Sequence, residues 1–173
     1  MNHVFPLDTS SLIDKIPELD LLVANHYSDN TRTNYGSLRE VKSLFLAYDG
    51  DPESNIKLET PYYHPLLCIL QDAVTVTGNR IEDVHYAYYC LMPPKTKIYT
   101  HIDVGAYYST INRYQLFFTV TKDNIVVQEN NKTTSNAVVY FNQSKPHSFI
   151  NESTDDNWRF FVFDIYKSKD KNI

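Results

Sequence analysis

Cysteine, glycine and tryptophan are scarce in this sequence: its 173 residues include two cysteines, four glycines and one tryptophan. Two cysteines, Cys68 and Cys90, cannot build the disulfide framework that stabilises small secreted domains. The first ten residues, MNHVFPLDTS, contain neither the basic region nor the apolar region of a secretory signal. These absences predict a cytoplasmic protein whose thiols stay reduced.

An excess of positive charge and long apolar runs are also missing. The formal net charge is −5 at pH 7, so the chain has no broad cationic surface for the phosphates of duplex nucleic acid. No apolar stretch reaches the length that spans a membrane. We therefore expect neither a duplex nucleic acid partner nor a membrane partner.

Aromatic residues, in contrast, are plentiful. The 14 tyrosines and 9 phenylalanines favour a strand-rich globular protein, because aromatic side chains pack well on a pleated surface. A chain of this length suits one domain with one core. We expect that domain to cover residues 1–173, with a helical or mixed part over about 1–80 and a β-rich core over about 83–167.

Two helices are predicted in the N-terminal part. The segment SLREVKSLFLAYDG opens with Ser37 and Glu40 at the spacing of a capping box and ends at an Asp-Gly turn. The segment HPLLCILQDAV has Pro65 in its first turn and a helical spacing of apolar residues, and it should end before Gly78. Both helices are expected to cover one face of a sheet.

The sequence after residue 83 changes to short apolar and aromatic runs separated by turn-forming residues, which predicts strands. The runs are VHYAYYCLM, RYQLFFTV, NIVVQE, AVVYF, SFIN and RFFVFDIY. No stretch between them is long enough for a helix that would connect parallel strands, so the sheet should be mainly antiparallel. This pattern is typical of an all-β sandwich, barrel or jelly roll.

The segment YTHIDVG places His101 and Asp103 two positions apart at a predicted strand end. Because side chains alternate along a strand, both would project from one face with Cα atoms about 6.5 Å apart. In a jelly roll, His147, which follows a proline-fixed turn, can converge with them at the mouth. Two imidazoles and one carboxylate form the facial triad of non-haem Fe(II) oxygenases, so the geometry permits one metal site. The other histidines are left unassigned.

Arg159 follows His147 by twelve residues, within NWRFFVFDIY. If the two segments are antiparallel neighbours, its guanidinium can reach the same mouth, where its planar fork suits a carboxylate held away from the metal. The alternative is a strand-end arginine paired with a surface acid such as Asp155 or Asp156. The residues alone leave both readings open.

At these residues the sequence resembles a known family. The stretch from Tyr86 to Tyr166, with LMPPKTKIYTHID, NRYQLFFTV and KPHSFINESTDDNWRFFVFDIY, is similar to the aspartyl/asparaginyl β-hydroxylase family of Fe(II)- and 2-oxoglutarate-dependent oxygenases, which includes proline cis-hydroxylases and phage-type members. The resemblance implies a double-stranded β-helix, a cupin-like jelly roll with the N-terminal helices on one sheet. It also implies metal ligation by His101, Asp103 and His147, and an ion pair between Arg159 and the distal carboxylate of 2-oxoglutarate.

Two further positions are interpreted through the same resemblance. Gln115 stands where the family often has histidine; its amide can donate to the 2-oxoglutarate carboxylate near the metal but carries no positive charge. Arg113 matches a position that points into the cleft, where it could meet a substrate carboxylate, and the alternative is a sheet-edge cation.

The resulting hypothesis is a dioxygenase that uses Fe(II), 2-oxoglutarate and O₂ to hydroxylate a C–H bond of an amino acid or of a peptidyl Asp, Asn or Pro residue. A cupin-like zinc hydrolase or isomerase is an alternative, since the same ligands also suit Zn²⁺. A non-catalytic jelly-roll binding module is the other alternative, which Gln115 keeps open. Arg159 discriminates between these hypotheses, because a zinc hydrolase has no general need for a buried anion-binding arginine there.

Overall fold

The structure, a computed structural model, describes residues 4–14, 16–26, 41–47, 63–118, 120–128 and 137–167. Within these ranges the strands are β1 (Val4–Pro6), β2 (Lys42–Ala47), β3 (Val84–Met92), β4 (Lys97–His101), β5 (Ile111–Phe117), β6 (Asn124–Val127), β7 (Ala137–Phe141), β8 (His147–Asn151) and β9 (Trp158–Tyr166). The helices are α1 (Ser10–Ile13), α2 (Ile16–His26), α3 (Tyr63–Val76) and α4 (Ala106–Ser109), and a short 3₁₀ helix covers Ile81–Asp83.

The strands form two antiparallel sheets. The large sheet has six strands in the order β1-β7-β5-β9-β3-β2, and the small sheet has three in the order β4-β8-β6. Every strand pair in both sheets is antiparallel. The prediction of a mainly β, mainly antiparallel protein is therefore confirmed, and all six predicted strand segments contain a strand.

Strand β9 shows how the large sheet separates two apolar layers. Its side chains alternate, so Phe161 and Phe163 join the core formed with the helices, while Phe160 and Val162 join the core formed with the small sheet. The helix-side core includes Leu19 of α2 together with residues of α3. The layer between the two sheets is where a ligand cavity can form.

Helix α3 confirms the second predicted helix. It has Pro65 in its first turn, where the missing N–H costs no helical hydrogen bond. Gly78 follows its end with φ +71°, a left-handed conformation that glycine adopts without steric cost, and its N–H donates to the carbonyl of Thr75. Among the residues that the structure describes, no helix is both long and apolar enough to cross a membrane.

The first predicted helix is wrong over the part that the structure describes. Residues 42–47 form strand β2, which pairs with β3 at the edge of the large sheet, whereas residues 37–40 and 48–50 lie outside the described ranges. The apolar run SLFLA fits a strand as well as a helix, and the unpaired backbone groups of the β3 edge favour the strand. Helix α2 and strand β1 were not identified from the sequence, and of β4 only the end at His101 was predicted.

Candidate metal centre and active site

The two predicted histidine ligands are direct neighbours across the small sheet. His101 ends β4 and His147 begins β8, and the two residues are register partners in the antiparallel pair. Their rings lie with centroids 4.2 Å apart. Asp103, two residues beyond β4, brings its Oδ1 to 3.5 Å from Nε2 of His101 and 3.9 Å from Nε2 of His147. The three side chains can therefore share one metal ion.

A β-bulge in β4 gives His101 this position. Ile98 pairs with Phe149 and His101 with His147, so the three-residue step in β4 matches a two-residue step in β8. The extra residue reverses the alternation, and both Ile98 and His101 line the same cavity. Without the bulge, His101 and Ile98 would project from opposite faces of the strand.

Each histidine is held in the tautomer that a metal ligand requires. Nδ1 of His101 lies 2.8 Å from the carbonyl oxygen of Tyr99, and Nδ1 of His147 lies 2.8 Å from that of Lys145. A carbonyl only accepts hydrogen bonds, so Nδ1 carries the proton in both rings and Nε2 presents its lone pair to the space beside Asp103. The contacts to residues two positions upstream fix the ring orientation before a metal binds.

Asp103 is held so that one of its oxygens stays available. Its backbone N–H donates to the carbonyl of Gln143 at 3.0 Å, and its Oδ2 accepts a hydrogen bond from Nη1 of Arg113 at 2.6 Å. Oδ1 is the oxygen that faces both imidazoles. The arrangement suits a carboxylate that binds a metal through a single oxygen.

The environment favours a neutral His147 and an ionised Asp103. Burial lowers the pKa of His147, which keeps its imidazole neutral near pH 7. Burial alone would raise the pKa of Asp103, but its interaction with His101 and the charge of Arg113 hold that pKa below its usual value. The hydrogen bond to Asp103 raises the pKa of His101. This shift favours the protonated imidazole of His101, so a metal ion at this residue would bind in competition with a proton.

Arg113 is buried between two carboxylates. Its Nε and Nη2 each donate to Asp164 at 2.8 Å, and its Nη1 donates to Asp103. Burial opposes the charge, but Tyr88 and the two carboxylates hold the pKa of Arg113 well above its usual value. The sequence suggested that Arg113 could meet a substrate carboxylate, and the alternative was a sheet-edge cation. The structure gives it instead two carboxylates of the chain itself, near the centre of the large sheet.

The triad lies at one end of a cavity of about 640 Å³ between the two sheets. Away from the metal ligands the wall is mainly apolar and aromatic, and includes Cys90, Phe149, Phe160 and Val162. Tyr88 also lines this wall, so Tyr88 and Cys90 both face the cavity and pack in the core. Such a cavity can hold a small ligand and keep most water away from it.

Gln115 lies in the cavity wall, as the resemblance implied. The residue is 4% exposed, on the same face of β5 as Arg113. Its Oε1 is buried without a hydrogen-bond partner among the described residues. A buried amide oxygen without a partner is costly, and only a ligand group that donates a hydrogen bond could satisfy it, whereas a carboxylate would have to contact the amide N–H groups.

Arg159 does not reach the cavity, which corrects its predicted placement. It lies on β9 at an odd-numbered position, and the odd-numbered side chains of that strand face the helices. Its Nε lies 3.0 and 2.9 Å from the two carboxylate oxygens of Asp20 on α2, and its Nη1 donates to the carbonyl of Asn157. The alternative of a strand-end ion pair describes this geometry better, although the partner is Asp20 and not Asp155 or Asp156.

Asp164, Tyr107 and Gln143 support the site and were missed in the sequence. Asp164 is fully buried and accepts a 2.8 Å hydrogen bond from the hydroxyl of Tyr107. Gln143 is buried and donates to the carbonyl of Tyr108 at 2.9 Å. A signal did exist for Asp164, because an acidic residue within the apolar run WRFFVFDIY needs a buried cationic partner.

Comparison with known proteins finds similarity at the level of structure. No family model matches the chain, and neither does any curated protein sequence. A prolyl-4-hydroxylase from Pseudomonas putida superposes with a TM-score of 0.59 at 9% identity, over 97% of this chain and 92% of that one. The epimerase SnoN of nogalamycin biosynthesis, described as non-heme and alpha-ketoglutarate-dependent, gives 0.61 at 10% identity, over 99% and 80% of the two chains.

An oxidoreductase of the 2OG-Fe(II) oxygenase family from Burkholderia pseudomallei gives a TM-score of 0.54 at 12% identity, over 88% of this chain and 78% of that one. A second SnoN structure is a complex with Fe³⁺, alpha ketoglutarate and nogalamycin RO. At these identities the likeness concerns the fold. The chain therefore has the fold that structures of 2OG-Fe(II) oxygenases share.

Proposed function

We propose that the protein is a single-domain Fe(II)- and 2-oxoglutarate-dependent dioxygenase, with the two sheets forming a double-stranded β-helix. The observation that carries the proposal is the convergence of two Nε2 atoms and one carboxylate oxygen at the end of a cavity between the two sheets, with both imidazole tautomers fixed by backbone carbonyls. The shared fold with oxygenases of this kind supports it independently.

The donor set fits Fe(II). His101, His147 and Asp103 would hold the metal from one side and leave the cavity side open for other ligands. When bound, Fe(II) with 2-oxoglutarate supplies the oxidising chemistry that adds an oxygen atom from O₂ to a C–H bond. The chain places the bound molecules beside the metal ligands and shields them with apolar walls.

The arginine that the resemblance assigns to the distal carboxylate of 2-oxoglutarate does not line the cavity. Arg159 lies on the opposite face of the large sheet, so we no longer assign the distal carboxylate to it. Of the described cavity-lining residues, Arg113 alone carries a permanent positive charge, and the amide N–H groups of Gln115 can donate to a carboxylate. We propose that the cofactor lies along this wall, with the amide of Gln115 as a contact and Arg113 as the nearby positive charge.

The substrate class follows the resemblance: an amino acid, or a peptidyl residue of the Asp, Asn or Pro type. The side chains of Ile102 and Val104 beside the mouth are 44% and 77% exposed, so a substrate can approach the metal ligands past an apolar rim. Because Arg113 already binds two carboxylates of the chain, a substrate carboxylate there would compete with Asp103 and Asp164.

The test is formation of succinate from 2-oxoglutarate with added Fe(II), ascorbate and O₂, which does not require the substrate to be known. We expect slow turnover in the wild type and none in His147→Ala, because two ligands bind the metal far more weakly than three. Asp20→Asn, which alters an ion pair on the far side of the sheet, is the matched control and should keep wild-type turnover.

Two outcomes would contradict the proposal. Succinate formation that persists in His147→Ala would show that the reaction does not require the triad. A wild type that binds metal but neither binds nor turns over 2-oxoglutarate would favour the zinc hydrolase or the binding module, which use the same ligands without this cofactor.

A further inference from the structure

We propose that Asp164 is a positioning residue of the metal centre, which sets the ligand geometry of Asp103 through Arg113. The inference rests on the proposed metal site, because it concerns how that site is held. Asp164 does not line the cavity and is too enclosed to contact a ligand directly. Its contribution passes through the guanidinium that it holds.

Arg113 makes more hydrogen bonds to one of its two carboxylate partners than to the other. Asp164 receives two of the hydrogen bonds from Arg113, through Nε and Nη2, in a side-on pair with both distances at 2.8 Å. Only Nη1 is directed at Asp103. Asp164 therefore fixes the plane of the guanidinium, and that plane determines which oxygen of Asp103 is occupied and which stays available to a metal.

Charge makes the role of Asp164 specific. One guanidinium between two carboxylates leaves a net charge of −1 in this cluster, which favours a bound cation. With Asp164 neutralised, the cluster of Arg113 and Asp103 has no net charge, and the guanidinium has Asp103 as its remaining carboxylate partner. Arg113 would then compete with the metal for both oxygens of Asp103. Both effects weaken metal binding.

A second connection ties the segment after Asp103 to the same residue. Tyr107 of α4 donates its hydroxyl hydrogen bond to Oδ2 of Asp164, and the guanidinium carbon of Arg113 lies 5.2 Å from the ring centroid of Tyr108. The short helix that follows the carboxylate ligand is thus held against β9 through Asp164. Loss of the Asp164 carboxylate would therefore leave both helix α4 and the Arg113 side chain less firmly held.

The experiment compares the metal affinity of Asp164→Asn with that of the wild type, by anaerobic Fe(II) calorimetry of the full chain. Changing a direct partner of a metal ligand weakens binding about 10- to 100-fold, and Asp164 acts one contact further away through Arg113, so we expect about tenfold weaker binding. Asp20→Asn breaks an ion pair made by the same strand on its other face and should bind Fe(II) like the wild type. Thermal melts of both variants report whether they fold.

Co(II) absorption provides the readout that a purely structural role would not change. We expect the visible bands of Co(II)-loaded Asp164→Asn to shift from those of the wild type, because the carboxylate ligand is held differently. Tyr107→Phe removes one donor to Asp164 without leaving a buried charge unpaired, and should weaken Fe(II) binding in the same direction by a smaller factor.

Each result decides the inference. Wild-type Fe(II) affinity and Co(II) bands in folded Asp164→Asn would overturn it. If Asp164→Asn does not fold, wild-type affinity and bands in Tyr107→Phe would overturn it. Failure of the wild type itself to bind Fe(II) or Co(II) would overturn the proposed metal site, which is a different outcome from equal binding by wild type and variants.

Discussion

Two arginines on neighbouring strands show how side-chain direction decides function at the scale of single residues. Arg113 on β5 faces the cavity and the metal ligands, whereas Arg159 on β9 faces the helices. The sequence suggested both as candidate anion-binding residues, Arg159 from its position twelve residues after His147 and Arg113 from the resemblance to a family position that points into the cleft. It could not show which face of the sheet each one would occupy, because that depends on the register and on where β9 begins.

Substitution of Arg159 by Met should therefore affect stability and not the cofactor. We expect a loss of about 1 kcal/mol, the upper range for partly exposed ion pairs, and a melting temperature about 2–4 °C lower. Affinity for Fe(II) and, in the oxygen-free iron-loaded protein, for 2-oxoglutarate should stay at the wild-type values. Thermal melts and calorimetric titrations measure these quantities.

The opposite result would restore the role first expected for Arg159. An arginine that binds a desolvated carboxylate contributes about 2–5 kcal/mol, so its loss would weaken 2-oxoglutarate binding by about thirtyfold or more. Asp20→Asn is the control, because it removes the charge of the same ion pair from the helix side. An equal loss of stability in Arg159→Met and Asp20→Asn would show that the loss comes from the ion pair alone.

At the scale of elements, Asn151 joins the turns that hold the small sheet. Its side-chain nitrogen lies within 3.0 Å of the carbonyl oxygens of Met92, Pro93 and Asp156. Its side-chain oxygen accepts hydrogen bonds from Asn124 and from the backbone of Ser153. One fully buried amide thus connects the end of β3, the strand β6 and the turn before β9. Asn151 thereby stabilises the C-terminal end of β8, which is the end opposite His147.

Asn151→Ala should be strongly destabilising, because it leaves several buried carbonyl groups unpaired. At about 1–3 kcal/mol for an unpaired buried group, we expect a loss of about 3 kcal/mol. Asn151→Asp should cost more, since a carboxylate would face three carbonyl oxygens. Denaturant unfolding measures both. Asn124→Ala removes a single donor to Asn151 and should lower the free energy of unfolding by less. A loss as large as that of Asn151→Ala would contradict the central role of Asn151.

Much of the element pattern could be predicted from the sequence, and so could the triad. Short aromatic runs between turn residues correctly predicted six strands, and the H-x-D spacing with His147 predicted the three residues that converge. The bulge that turns His101 into the cavity could not be predicted, because Tyr99 and Thr100 give no local signal of an extra residue. The helix predicted at 37–50 failed over 42–47 because an edge of the sheet competed for those residues.

At the scale of the whole molecule, most of the apolar core lies away from the proposed metal site. Most of the largest fully buried side chains among the described residues, including Tyr89 and Phe161, belong to the core between the large sheet and the helices. Trp158, Phe117 and Met92 belong to the layer between the two sheets, and the proposed metal ligands lie at the edge of that layer. Metal binding should therefore add to stability without being required for folding.

Removal of the metal by a chelator should lower the melting temperature and leave a folded protein. A ligand present at 100 times its dissociation constant stabilises by about 2.7 kcal/mol. For a domain of this size, its loss should lower the melting temperature by about 5–11 °C. Circular dichroism melts with and without chelator measure the shift. Complete unfolding on chelation would show a structural metal, as in small zinc domains, and would contradict the proposed oxygenase.

Strand β9 is the last described strand in chain order, yet it lies between β5 and β3 in the middle of the large sheet. During synthesis on the ribosome, β3 with β2 and β5 with β7 can pair, but the two halves share no hydrogen bonds until β9 emerges. His101, Asp103 and His147 are all synthesised before that point, whereas Asp164 is not. The nascent chain thus carries every proposed metal ligand before β9 joins the two halves of the sheet, and the contacts that hold Asp103 through Arg113 and Asp164 can form only after β9 has emerged.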